Sequence, residues 1–204
     1  DVSSGTDFSS MFYRAYSFNE DISQWDTSSG LDFNQMFYHS FSFNADLSNW
    51  DVSLGTDFSR MFNGAYRFNS DLSLWDISSG TDFSGMFQET DFNSNISNWD
   101  VSSGTDFSSM FYRAYSFNED ISQWDTSSGL DFNQMFYHSF SFNADLSNWD
   151  VSLGTDFSRM FNGAYRFNSD LSLWDISSGT DFSGMFQETD FNSNISNWDV
   201  SSGT

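Results

Sequence analysis

Cysteine and lysine are both absent from this chain, and arginine is its only strong base, six residues against 29 Asp and Glu. Without Cys there is no disulfide framework and no thiolate chemistry, and the redox compartment stays open. A net charge of −23 on 204 residues repels phosphate and anionic lipid, so neither nucleic acid nor an anionic membrane surface is an expected partner. Cations and basic surfaces are attracted instead. No apolar run approaches the length of a membrane span, so this segment is not expected to insert into a bilayer. The chain opens without Met or a signal sequence, as expected of a mature, excised or internal segment.

Further absences narrow the chemistry. Histidine occurs twice, as His39 and His138, with no Cys beside it, so a transition-metal site is not expected. Serine is abundant, but no His–Asp pairing recurs with it, and a hydrolase triad has no support. There is no phosphate-binding loop and no dinucleotide fingerprint. The chain is not expected to be an enzyme.

What the sequence has is aromatic side chains. They make up 21% of residues, with 26 Phe, 8 Trp and 8 Tyr. Disordered acidic chains lack such material, so this one has enough for a core. The Trp residues stand at 25, 50, 75, 99, 124, 149, 174 and 198. The step is 25 residues except at Trp75–Trp99 and Trp174–Trp198, where it is 24. One residue is missing there, as MFQETDFN (86–93) shows beside MFYRAYSFN (11–19). Residues 100–198 repeat residues 1–99 without a change, and 199–204 begin a further copy. Such identity implies recent duplication, active homogenisation, or a sequence averaged to its period. The whole of 1–204 reads as one continuous array of eight coils of 24–25 residues. The pattern has no atypical terminal repeats, so we expect either flanking repeats or end-to-end stacking of chains.

One coil can be read locally. Ile22, Trp25 and Thr27 have the LxxLxL spacing of a leucine-rich-repeat strand. Alternation around the Trp turns it inward and Asp26 outward. Ser-Ser-Gly then marks a turn, with Gly30 and its equivalents allowing positive φ or a close approach. Thr6 or Asp7 can cap a helix. Phe8, Met11, Phe12 and Ala15 follow at i, i+3, i+4 and i+7, which predicts a short helix held by packing. The expected fold is a leucine-rich-repeat-like solenoid. Each coil adds one short strand to a parallel sheet and one short helix, and all eight Trp are buried and stacked. The alternative is an all-β solenoid in which the Met-Phe segment is extended or irregular.

The order WDVS, TDF, MF, FN and DIS resembles the BspA-like surface repeat, also seen in mycoplasma-type lipoproteins. The resemblance spans every coil. It implies a leucine-rich-repeat-like solenoid, secretion, a cell-surface location and adhesion, and it brings no catalytic residues. Two positions depart from that family's usual pattern: Gly5 stands where an apolar residue is usual, and Phe8 where Met is usual.

Three Asp ladders run along the array: Asp1/26/51/76, Asp7/32/57/82 and Asp21/46/71, each repeated in the second half. Stacked like charges repel, and calcium between coils would relieve this. The ladder Asp26, Asp51, Asp76, Asp100, Asp125 and Asp150 is the candidate, since Ser28-type hydroxyls follow two residues later. The bland reading is a solvated face, with Asp7 as a cap and Asp21 closing a turn. Asn19, Asn44, Asn69 and Asn93 form an amide ladder expected to bond along the stack. Asn95 and Asn194 each open an Asn-Ile-Ser sequon once per 99-residue unit, where other coils have Asp. This is either a regular glycosylation site or a chance substitution. Tyr13, Tyr16, Tyr38 and Tyr66 edge the apolar face, either shielding the core or offering lateral and carbohydrate contacts.

Two functions fit. One is a structural protein, an extracellular filament, stalk or cell-surface rod that associates end to end or continues in the same chain. The other is a surface adhesin gripping host protein or glycan through its repeated face. Ice binding fits less well, because the ladders are Asp and Ser rather than Thr.

Overall fold

Each coil closes by reverse turns rather than by helix and strand. The computed structural model describes residues 2–203; Asp1, the first expected rung of one acidic ladder, and Thr204 lie outside them. Among the described residues there is no helix and no extended strand. Across the first two coils the Trp25 amide donates to the Ile22 carbonyl at 3.1 Å, Gly30 to Thr27 at 2.8 Å, and Met36 to Phe33 at 3.2 Å. Tyr38 to Gln35, Ser40 to Phe37 and Phe43 to Ser40 continue the run at 2.9–3.0 Å. The first residue of all but one of these turns is buried: Ile22, Thr27, Phe33, Phe37 and Ser40.

The expected helix over Phe8–Ala15 is not formed. Met11, Tyr13 and Ala15 donate to carbonyls three residues back, which closes turns. The alternate amides leave the coil altogether. Phe8, Ser10, Phe12 and Arg14 donate to the carbonyls of Asp32, Asn34, Met36 and Tyr38 in the next coil, at 2.7–2.8 Å. A helix would consume these groups internally; here half of them bind one coil to the next. The geometry requires two left-handed residues per coil. In the first coil these are Ser10 and Arg14, with φ of 56° and 57°. A left-handed conformation costs an L-residue roughly 1–2 kcal/mol, and only Gly64, Gly85, Gly163 and Gly184 avoid that cost among the equivalent positions. The cost is carried because it aims the amides along the stack.

The expected strand at Trp25 is likewise not a ladder. Backbone pairing reduces to single parallel bridges on a different row, from Asp7↔Asp32 through Asp156↔Asp181. The Trp row is bonded through its side chains. Trp50 Nε1 donates to the Ile22 carbonyl of the preceding coil at 3.0 Å, and every later Trp repeats the bond at 2.9–3.1 Å. A buried indole N–H needs such an acceptor.

Inside the turns, aromatic rings form columns. Phe8, Phe33 and Phe58 stack with 5.5 Å between ring centres, and Phe12, Phe37 and Phe62 at 5.3–5.7 Å. Phe37 also lies 3.8 Å from Phe43 of its own coil, so two columns interlock. Six Trp are buried, while Trp25 and Trp198 in the outermost coils are half-buried, short of the full burial expected for all eight. Four neighbouring Trp pairs stack at 6.1–6.4 Å.

The glycine after each Ser-Ser or Ser-Leu pair is there for space. A Cβ on Gly30 would lie 2.5 Å from Phe33 Cζ, and one on Gly129 would lie 2.4 Å from Phe132 Cζ. The two departures from the resembled repeat are therefore one packing solution: the ring that replaces Met occupies the volume that the missing side chain vacates.

Candidate functional site

The surface carries ladders of repeated side chains, and the Asp ladders are built by the turns. Each Asp stands one residue before a turn, and its Oδ1 accepts the amide two residues on. Asp7 takes Ser9 N–H at 2.9 Å, Asp21 takes Ser23 at 2.9 Å, and Asp26 takes Ser28 at 3.1 Å. Aspartate does this well because its short side chain reaches its own backbone.

On the expected calcium ladder, Asp26, Asp51, Asp76 and Asp100 also accept the Ser28, Ser53, Ser78 and Ser102 hydroxyls at 2.6–2.7 Å. Asp125 and Asp150 accept Ser127 and Ser152 amides at 3.0 Å. The hydroxyls named as co-ligands thus donate to the carboxylates. These bonds, side chain first, hold Asp26, Asp76 and Asp100 below the usual carboxylate range. Among the described residues, no three or more of His, Cys, Asp or Glu gather closely enough to hold a metal ion.

The ladder of the backbone bridges is electrostatically different. Burial, chiefly, pushes Asp82 and Asp131 up, and the neighbouring Asp106 carboxylate adds to both. At the ends of the same ladder, Asp7 and Asp181 are held low by their Ser9 and Ser183 hydrogen bonds.

The Asn ladder bonds along the stack as expected, from Asn44 N–H on Asn19 Oδ1 at 2.7 Å through Asn192 on Asn168 at 2.7 Å. It lies on the exposed surface. Asn95 and Asn194 are exposed and cap their turns as Asp does elsewhere, each accepting the Ser97 or Ser196 amide at 2.9 Å.

A feature not anticipated from the sequence lies where the fourth coil is one residue short. Tyr16, Phe41 and Tyr66 form an outer ring column at 4.8 and 5.0 Å, and Tyr115, Phe140 and Tyr165 form another at 4.9 and 5.0 Å. Between them the fourth coil has Asp91, whose amide donates to the Tyr66 carbonyl at 2.9 Å. The column therefore lacks one ring. Tyr66, Glu89, Thr90, Asp91, Arg113 and Tyr115 line a half-open cavity of about 260 Å³ there. Arg113 pairs with Glu89 at 3.2 Å and lies over Tyr112. The one-residue deletion in MFQETDFN is the sequence signal of this site.

A family model described as "Mycoplasma protein of unknown function, DUF285" matches residues 1–91, 75–153 and 130–204, which together cover the sequence. No curated protein and no solved structure matches it.

Proposed function

This chain belongs to the Mycoplasma DUF285 family as a tandem-repeat protein with a buried aromatic core, and from that premise we propose that it is a segment of an extracellular filament, stalk or cell-surface rod. The fold we assign to it is a solenoid related to leucine-rich repeats, with turns in place of the helix.

The observation that supports this reading is the joint between the two 99-residue units. Phe83 stacks on Phe107 at 5.7 Å, Phe87 on Phe111 at 5.6 Å, and Trp99 on Trp124 at 6.3 Å. Glu89 N–H donates to the Tyr112 carbonyl at 2.8 Å. These core contacts match those within a unit, so the core runs on from unit to unit, and only the outer ring column is interrupted at the joint. The last described coil presents Phe182, Met185, Phe186, Ile195, Trp198 and Val200 around an open apolar hollow of about 390 Å³. By sequence identity, that face is the one that residues 75–99 turn toward residues 100–124. The fitting partner is a coil of the same sequence, from the same chain or another copy.

Small-angle scattering on chains of one, two and three units tests this reading. We expect the longest dimension to grow in equal steps with unit number, and a dimension that levels off would contradict the rod. The adhesin reading draws on the exposed ring columns. It predicts discrete short rods that bind host protein or glycan. Calcium on the Asp26 ladder and glycans at Asn95 and Asn194 remain part of the proposal. A melting temperature unmoved by chelator, and unmodified Asn95 in material from the source, would remove them.

A further inference from the structure

We infer that the gap in the outer ring column is a binding site for a quaternary or alkylated ammonium group, of the kind carried by choline. Tyr66 and Tyr115 bound the gap, and the intact steps of the column are 4.8–5.0 Å. An occupant taking the place of the missing ring sits about one step from each Tyr. That is within the ~6 Å at which a cation is attracted to an aromatic face. The cavity of about 260 Å³ is small beside the sites of drug-sized ligands, and it suits one compact head group.

Charge selects the ligand. Arg113 and Glu89 neutralise each other across 3.2 Å, which leaves the Asp91 carboxylate as the uncompensated charge on the wall. The chain as a whole carries −23, so its field concentrates cations and repels anions. A methylated ammonium sheds its weak hydration readily and gains from two ring faces. Lysine-type ammonium groups are strongly hydrated and are expected to bind less well.

The site occurs once per unit. Tyr165, Glu188, Thr189 and Asp190 repeat one half of it at the eighth coil, and Arg14 and Tyr16 repeat the other half at the first. The described chain thus contains one complete site, at the joint between units.

The test is calorimetric titration of the 204-residue chain with tetramethylammonium and choline, beside the neutral choline isostere 3,3-dimethyl-1-butanol. Saturable binding of one equivalent of each cation is expected, with the neutral compound at least roughly tenfold weaker. Tyr115→Ala and Asp91→Asn should each weaken choline binding by roughly tenfold, whereas Tyr115→Phe should keep it. Melting curves identify any variant that has lost its fold, and the more conservative Asp91→Asn then carries the test. Vesicles of phosphatidylcholine against free choline distinguish a lipid head group from a soluble source. Equal binding of the neutral isostere, no saturable binding by either cation, or unchanged affinity in both Tyr115→Ala and Asp91→Asn would overturn the assignment.

Discussion

At the residue scale, the clearest dependence is between the turn glycines and the Phe three residues later. Gly129→Ala places a methyl 2.4 Å from Phe132 Cζ, so the ring must move within a packed column. Overpacking of this kind costs about 1–3 kcal/mol. We expect that loss in denaturant unfolding, and we expect Gly129→Ala with Phe132→Leu to cost less than the sum of the two single changes. Additive costs would show that the ring and the glycine do not compete for one volume. Asp131 gives a second test. Its folded pKa is raised by burial and by the carboxylates of Asp106 and Asp156, so the charged form is disfavoured in the fold. A group shifted upward in this way opposes stability above its folded pKa, and that opposition is relieved as pH falls toward its unfolded value of 3.8. Asp131→Asn keeps the acceptor for the Asn133 amide, as Asn95 does for Ser97. We therefore expect Asp131→Asn to melt higher than the parent at pH 7, with the advantage shrinking as the pH drops to 4. A lower melting temperature at pH 7 would mean that the charge serves the fold.

At the element scale, the sequence showed where side chains point better than how the backbone runs. The rows of Phe8, Met11 and Phe12, the Trp row and the capping role of Asp7 were all legible, because inward and outward faces repeat along the array. The helix was not ruled out, since turns closed at i→i−3 place Phe8, Phe12 and Ala15 on the same side as a helix would. What decides against it is the neighbouring coil. Its carbonyls stand in register for Phe8, Ser10, Phe12 and Arg14, and no local pattern encodes that. Glycine at Gly64 and Gly85 is the one hint of left-handed backbone; Ser, Gln, Arg, His and Glu hold the equivalent places in other coils. Asp7 was legible as a cap, though of a helix rather than of the turn it caps, Asp21 as closing a turn, and Asp26 only as a rung of its ladder, because Oδ1 to amide geometry belongs to the turn. The indole bond gives a prediction at this scale. Trp124→Phe removes the donor to Ile96 at 3.1 Å. A net hydrogen bond is worth about 0.5–1.5 kcal/mol, and lost ring area adds to this. Trp25 has no preceding coil among the described residues and is half-buried. We expect Trp25→Phe to cost clearly less than Trp124→Phe in urea unfolding, and equal costs would remove the inter-coil bond as a source of stability.

At the scale of the whole molecule, stability resides in contacts between neighbours, so each coil depends on the next. The −23 charge is carried mostly by Asp ladders along the surface, and like charge of this size opposes side-by-side contact between copies. Added salt should promote side-by-side association by screening that repulsion. The one-residue deletion in every fourth coil gives the stack a longer period and places a distinct cavity along it once per unit. The central claim is that coils stack in one open-ended column with a four-coil unit. Electron imaging of the native material, read through its axial power spectrum, tests it most directly. Inter-coil amide bonds of parallel-ladder type predict a repeat near ~4.8 Å, and the unit predicts a second near about 19 Å. Both spacings along extended fibres are the expected result. Compact particles with neither spacing would contradict the account.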